Sequence, residues 1–144
     1  MDLAVKPLGG RQLAQNIVAS LATRTAKVGV VGLGYVGLPL AVACGRAGLA
    51  TTGFDIDPEK PARLNSGHSY IGAVKSEELS LLVASDKFHA TDDFAALRHC
   101  DVVVMCVPTP LSRQREPDLS FVEATARSVA AHLRPGQLVT LEST

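Results

Sequence analysis

The feature that most constrains this sequence is a glycine-rich turn at residues 32–37, with the pattern G-x-G-x-x-G, between two apolar segments. Residues 26–31 before the turn predict a fully buried strand, and residues 36–47 predict a buried helix. A second strand is predicted at residues 50–55. A strand, a tight turn, a helix and a second strand make a βαβ unit, so we expect a parallel sheet with a right-handed crossover.

Each glycine of the turn has its own physical role. Gly32 permits the tight turn, Gly34 lets the backbone approach a pyrophosphate, and Gly37 allows close packing of helix on strand, while the helix N-terminus offers unpaired N–H donors. Asp55 ends the second predicted strand. There it would accept hydrogen bonds from ribose hydroxyls and repel a 2′-phosphate, so the pattern predicts NAD rather than NADP. The alternative is a glycine-rich turn that only packs tightly.

The rest of the chain continues the alternation of helices and strands. Helices are predicted at residues 11–21, 57–65 and 92–97 and from Ser76, and strands at 87–90, 101–107 and 138–141. Ser120 and Glu123 match a capping box that opens a further helix, which ends at residues 135–136. The 144 residues suffice for one domain. The predicted fold is α/β, a Rossmann-type doubly wound parallel sheet with helices on both faces.

Composition excludes several other classes of protein. Fourteen basic residues balance fourteen acidic ones without a dense basic cluster, so no nucleic-acid partner is expected. Three cysteines without a C-x-x-C pair, and four histidines without metal-ligand spacing, indicate neither a disulfide framework nor a metal site. Residues 28–45 carry no charge, but glycines and Pro39 interrupt them, so we expect no membrane span and a soluble, cytoplasmic chain.

Three segments give the sequence a resemblance to a known family: residues 28–41 around the glycine turn, the VPTP sequence at 107–110, and the EST sequence at 142–144. On these segments the chain resembles the NAD-binding domain of the UDP-glucose/GDP-mannose dehydrogenase family over residues 26–144. Residues 1–25 are then a leading helix and extension. Family members continue into a Val-Pro-Pro-Gly loop and further domains, so we expect a fragment of a larger enzyme.

The resemblance also implies which residues hold NAD. Positions matching Tyr35 and Val36 touch the cofactor in the family, a basic residue matching Lys60 helps hold the adenosine ribose, and residues matching Thr109 and Thr144 contact NAD. Thr144 falls near the nicotinamide and is the candidate catalytic residue. Three of these positions have a simpler interpretation as well. Thr109 between two prolines would shape a loop, Lys60 would be a solvated helix residue, and Thr144 would be a frayed end.

The family chemistry that the resemblance implies is a two-step oxidation of a UDP-sugar at its C6 alcohol, through an aldehyde to a carboxylate, with two NAD consumed. It uses a cysteine nucleophile that is not expected in this segment. Cys44, Cys100 and Cys106 are instead predicted to be small buried residues. The chain alone is therefore expected to be inactive without the missing domains, and family members dimerise through a region absent here.

The loop at residues 110–119, with Arg-Glu-Pro-Asp at 115–118, resembles the branch that acts on UDP-N-acetylhexosamines; its alternative interpretation is a charged surface loop. For the whole chain, the alternative is a stand-alone NAD(H)-sensing Rossmann module with a regulatory role, as in potassium-channel regulation. Such a module explains the length but not the VPTP and EST sequences. Dehydrogenases of the hydroxyacid or phosphogluconate type likewise share the glycine turn but not the later motifs.

Overall fold

The computed structural model of this chain describes residues 9–142. The predicted alternation of strands and helices is confirmed. The strands are β1 (Lys27–Val31), β2 (Ala50–Phe54), β3 (Phe88–Thr91), β4 (Val102–Met105) and β5 (Leu138–Leu141). The helices are α1 (Gly10–Ala22), α2 (Gly37–Arg46), α3 (Glu59–Asn65), α4 (Ser76–Ala84) and α5 (Ser120–Ala130), with a 3₁₀ helix at Phe94–His99.

The five strands form one parallel sheet in the order β3-β2-β1-β4-β5. Strand β1 is central: its residues pair with β2 along one edge, from Lys27 opposite Ala50 to Val31 opposite Phe54, and with β4 along the other. The order reverses between β1 and β4, because the chain crosses from β3 back over the sheet. This topology confirms the Rossmann-type fold, and ligands of such sheets bind at the carboxyl ends of the strands beside this reversal.

Helices cover both faces of the sheet, and each face has its own core. On the first face, α2, α3 and α4 pack over the sheet around the fully buried Val30, Leu38, Leu64 and Leu79. The second face has a smaller cluster to which the 3₁₀ helix and α5 contribute, with Phe54, Leu97, Cys100, Val103 and Val129 as members. Full burial of such a side chain contributes roughly 1.5–3 kcal/mol, so the larger cluster supplies most of the hydrophobic stabilisation.

Aspartates accept hydrogen bonds at the start of two helices. Pro58 holds the N-cap position of α3, and Asp57 before it accepts a hydrogen bond at its Oδ1 from the Glu59 N–H at 3.0 Å. The predicted capping box of Ser120 and Glu123 is wrong. Ser120 is already the first residue of α5, and its N–H donates to Oδ1 of Asp118 at 3.0 Å. Hydrogen bonds from the hydroxyl and N–H of Ser120 also lower the pKa of the Asp118 carboxyl.

Two further elements differ from their predicted form. Strand β4 is shorter than residues 101–107: after Cys106, whose N–H donates to the Val31 carbonyl at 2.7 Å, the chain leaves the sheet towards Pro108, which has no N–H for a ladder. The helix predicted at residues 92–97 is the 3₁₀ helix, capped by Asp93, whose Oδ1 accepts from Ala95 N–H at 2.9 Å.

Residues 9–142 contain no helix of the length and apolar character that a membrane crossing requires. The first eight residues of the predicted leading extension, together with Ser143 and Thr144, lie outside the described residues. The predicted catalytic residue, Thr144, is therefore not included in the description of the site.

Candidate functional site

A cleft of about 660 Å³ opens at the carboxyl ends of β1, β2 and β4, where the topology places a ligand site. Its floor is the glycine turn between β1 and α2. One wall is formed by residues that follow β2, and the opposite wall by residues that follow β4 together with the first turns of α5. The cleft thus brings together residues of the turn with Asp55, Lys60 and Thr109, all of which the sequence predicts as cofactor contacts.

The three glycines of the turn differ in what surrounds them. Gly32 has a φ of 94°, which favours glycine, and a Cβ there would collide with the carbonyl oxygen of Cys106. A Cβ on Gly37 would overlap the carbonyl oxygen of Gly32. Around Gly34, in contrast, no atom of the described residues other than Gly34 and its two chain neighbours lies within 4 Å of an added Cβ. The fold itself therefore requires glycine at the first and third positions but not at the second.

Helix α2 begins at the turn and directs its amino end towards the cleft. Its first turn holds no acidic residue. Within this first turn the Leu38 N–H donates to the Gly34 carbonyl at 3.1 Å, and Pro39 has no N–H. The helix dipole places partial positive charge at this end of α2. An anion such as a pyrophosphate is the ligand that this arrangement favours.

Asp55 lies at the end of β2 and is only 7% exposed. Its Oδ2 accepts hydrogen bonds from the Leu33 N–H at 3.0 Å and from Lys60 Nζ at 3.0 Å, and its Oδ1 accepts one from the Asp57 N–H at 3.1 Å. A carboxylate has about four acceptor positions, two on each oxygen, so one on Oδ1 is left for a ribose hydroxyl. The carboxylate ties the glycine turn to the wall of the cleft.

Lys60 and the two residues Tyr35 and Val36 stand at the rim of the cleft. Lys60 extends from α3 to Asp55, and about a third of its side chain is exposed. Tyr35 is 86% exposed, and Val36 is also largely exposed, although both line the cleft. Exposed apolar and aromatic side chains at the mouth of a cleft are typical of surfaces that a ligand covers.

The cleft is also lined by residues that the sequence analysis missed. Phe121 and Thr125 come from α5, Ile56 directly follows Asp55, and Phe94 comes from the 3₁₀ helix after β3, with its ring centroid 5.8 Å from that of Phe54. Ile56 and Phe121 are large apolar side chains with high exposure. The available signal for these two residues was positional: Ile56 follows the carboxyl end of β2, and Phe121 lies in the first turn of α5.

The cysteines of the described residues are protonated near neutral pH. Burial raises the pKa of Cys44 and Cys106, with smaller contributions for Cys106 from Glu142 and Cys44. Burial, and then the Asp101 carboxylate, raise the pKa of Cys100 to about 11. Cys100 and Cys106 are buried as predicted, whereas Cys44 is only half-buried. A protonated thiol is a poor nucleophile, so none of the three is an activated nucleophile. Residues 9–142 also contain no cluster of three or more His, Cys, Asp or Glu side chains suited to a metal ion.

Comparison with known proteins identifies the kind of domain to which this cleft belongs. The family model described as "UDP-glucose/GDP-mannose dehydrogenase family, NAD binding domain" matches residues 26–144. The UDP-N-acetyl-D-mannosamine dehydrogenase of Pyrococcus horikoshii is 37% identical over 119 residues, which are 82% of this chain and 28% of that protein. The UDP-N-acetyl-D-glucosamine 6-dehydrogenase of Pseudomonas aeruginosa is 37% identical over 118 residues, 82% of this chain and 27% of that protein.

A similar fold occurs among solved structures. The ternary complex of GDP-mannose dehydrogenase from Pseudomonas aeruginosa superimposes with a TM-score of 0.75 at 28% identity, covering 81% of this chain and 28% of that one. This chain therefore spans little more than a quarter of the length of the relatives that it matches. The two curated relatives support the UDP-N-acetylhexosamine branch that the 110–119 loop predicts.

Proposed function

Because this chain belongs to the UDP-glucose/GDP-mannose dehydrogenase family and provides its NAD-binding domain, we propose that it serves a nucleotide-sugar 6-dehydrogenase. The substrate is a UDP-N-acetylhexosamine, whose C6 alcohol is oxidised through an aldehyde to a carboxylate with two NAD. The names of the curated relatives support this substrate class. The chain spans about 28% of the first of those relatives, and we propose that the domain is inactive without its partner domains.

The observation that carries the proposed NAD site is the empty space around Gly34. Gly32 and Gly37 are required by contacts inside the protein, whereas nothing among the described residues crowds Gly34. A glycine that the fold does not need, at the amino end of a helix and in the floor of a cleft, is explained by the close approach of a ligand backbone such as a pyrophosphate. The cleft therefore fits NAD on structural grounds.

Each wall of the cleft has a role in this proposal. The free acceptor position on Asp55 Oδ1 receives a ribose hydroxyl, and Lys60 neutralises the carboxylate beside it. Thr109 follows β4 and lines the cleft, where it contacts NAD, and Thr144 contacts NAD near the nicotinamide. Bound NAD supplies a hydride acceptor. The protein excludes water from the cofactor with the apolar side chains of Ile56, Phe94 and Phe121.

The experiment that tests the NAD site compares two glycine-to-alanine variants of the 144-residue chain by isothermal titration with NAD. Gly34→Ala places a methyl group where the pyrophosphate would lie, and we expect its affinity to fall at least about tenfold, roughly 1.4 kcal/mol. Gly72→Ala is the matched control, because Gly72 also has open space around it but does not line the cleft. Equal affinity of both variants, or no binding by the unmodified chain, would contradict the proposal.

A domain exchange tests the proposed reaction. Residues 26–144 would replace the matching segment of the Pseudomonas aeruginosa UDP-N-acetyl-D-glucosamine 6-dehydrogenase, and NADH formation would be followed with its UDP-sugar. We expect two NADH for each sugar oxidised. A hybrid that binds NAD and its UDP-sugar but forms no NADH would favour the alternative of a stand-alone sensing module.

A further inference from the structure

Leu33, the residue between the first two glycines of the turn, is held at three points. Its side chain is fully buried, and a Cβ on Gly53 in β2 would lie only 2.7 Å from its Cδ2. Its N–H donates to Asp55 Oδ2 at 3.0 Å. Its carbonyl oxygen accepts a hydrogen bond from the Tyr70 hydroxyl at 2.6 Å. Three contacts to one residue fix the orientation of the peptide planes on both sides of it.

Tyr70 comes from the connection between α3 and α4, and that connection is itself held in place. The Ser69 N–H donates to Ser76 Oγ at 3.0 Å, and the Ser69 carbonyl accepts from Arg63 Nη2 at 3.1 Å. The Arg63 guanidinium lies over the Tyr70 ring, with Cζ 5.7 Å from its centroid. The ring also packs against the core of the first sheet face, next to the buried Ile71. Tyr70 is therefore a rigid support.

The Tyr70 hydroxyl remains a hydrogen-bond donor under all ordinary conditions. Burial raises its pKa, the carboxylates of Asp55 and Asp57 raise it further, and the Arg63 guanidinium opposes them. A phenol with a raised pKa stays protonated well above neutral pH. The support does not depend on pH in the physiological range.

The geometry of the peptide bond transmits this contact to the cleft. All peptide bonds of the described residues are trans, and a trans peptide holds its C=O and N–H on opposite sides. With the Leu33 carbonyl directed at Tyr70, the N–H of Gly34 is directed away from it, and Gly34 lines the cleft. Rotation of this one peptide would exchange a donor for an acceptor at the proposed pyrophosphate position.

We propose that Tyr70 is a positioning residue for the dinucleotide: it holds the Leu33–Gly34 peptide so that the Gly34 N–H faces the pyrophosphate. This inference rests on the proposed NAD site. It assigns a function to a residue that lies thirty-seven positions from Leu33 and outside the glycine turn. Tyr70 itself does not line the cleft.

The test removes one hydroxyl group. In the 144-residue chain, Tyr70→Phe keeps the ring and its packing but frees the Leu33 carbonyl. We expect the dissociation constant for NAD to rise about fivefold, the effect of one neutral hydrogen bond. In the cofactor-free chain we expect the Gly34 amide to exchange its hydrogen about fivefold faster, as measured by NMR.

The matched control is Thr51→Val, which removes a buried hydroxyl that donates to the Leu49 carbonyl at 3.0 Å, at the opposite end of the sheet. A purely structural role for Tyr70 would lower the melting temperature of both variants while leaving NAD affinity and Gly34 exchange at wild-type values, and that result would overturn the proposal. If the unmodified chain does not bind NAD, the proposed function fails. The exchange rate of Gly34 then still decides whether Tyr70 positions the turn.

Discussion

The two halves of the sheet follow the same alternation of strands and helices but bury their residues very differently. In the amino half, residues 27–91, four of the five residues of β1 are buried, and α2 buries five of its ten. In the carboxyl half, residues 94–141, β4 buries three of its four residues, but no residue of β5 is buried, and α5 buries only Val129. The difference between the halves therefore lies in the outer strand β5 and in α5.

This difference shows where the cleft obtains its rigidity. The glycine turn, Asp55 and Lys60 are joined by hydrogen bonds and supported by the larger core. The opposite wall contains Phe121, which is 49% exposed, and lies beside Leu141, which is 50% exposed. We infer that the amino half provides a preformed site for the adenosine and pyrophosphate parts of NAD, and that the ligand covers exposed apolar side chains of the other wall.

The largest expected effect is on the free energy of unfolding, and it tests whether the two halves differ in packing. Leu38→Ala removes a fully buried side chain of α2 and should lower the free energy of unfolding by about 2–5 kcal/mol. Leu141→Ala makes the same chemical change in exposed β5 and should cost less than about 1 kcal/mol. Urea denaturation of both variants measures the two values. Similar losses in both would show that the carboxyl half is as well packed as the amino half.

A smaller effect concerns cofactor selectivity. Asp55→Asn removes the negative charge that would repel a 2′-phosphate, so the ratio of the NADP to the NAD dissociation constant should fall about tenfold. Thr109→Val, on the other wall, should leave this ratio unchanged. Parallel titrations of both variants with the two dinucleotides measure it. If Thr109→Val changed this ratio and Asp55→Asn did not, the carboxyl half, and not the amino half, would determine the selectivity between NAD and NADP.

The smallest effect is on the pH dependence of stability through Cys100, a member of the smaller core cluster. Its pKa rises from an ordinary 9.0 to about 11 in the folded chain, so the unfolded chain loses the thiol proton first. The resulting stabilisation is complete below pH 9.0 and is lost as the pH rises to about 11.

Cys100→Ala isolates this contribution. The difference in unfolding free energy between wild type and variant should shrink across that pH window, measured by urea denaturation at each pH. A constant difference would show that water reaches the thiol and that the second-face cluster is more open than the structure indicates.

Local patterns in the sequence were sufficient for the elements and the floor of the site. The strand at residues 138–141 and the start of α4 at Ser76 were predicted at the observed positions, because apolar runs and helix-start residues act within a few neighbours. The predicted capping box at Ser120 is wrong because the Asp118 carboxylate competes with Glu123 for the N–H of Ser120. Pattern matching cannot rank two acceptors that lie so close together in sequence.

Contacts between distant parts of the chain were not predictable in the same way. Lys60 and Asp55 lie five residues apart, and both were predicted as ribose contacts, Asp55 from its place at a strand end and Lys60 from the resemblance; the structure joins them in an ion pair. The contact between Tyr70 and Leu33 joins two segments through the tertiary fold, and neither residue type indicates it. Ile56 and Phe121 line the same cleft because the strand order places the carboxyl ends of β2 and β4 on either side of β1.

The Asp55–Lys60 ion pair has a consequence for the kinetics of binding. At long range Lys60, 3.0 Å from Asp55 Oδ2, offsets the field of the carboxylate, and the whole chain has a formal charge of zero. Only a group in contact with Oδ1, such as a 2′-phosphate, meets the carboxylate charge directly. We therefore expect an association rate that changes little with ionic strength, and a steep fall of that rate with added salt in stopped-flow measurements would contradict this. Capture of the dinucleotide would then be governed by diffusion and shape, without electrostatic guidance from a distance.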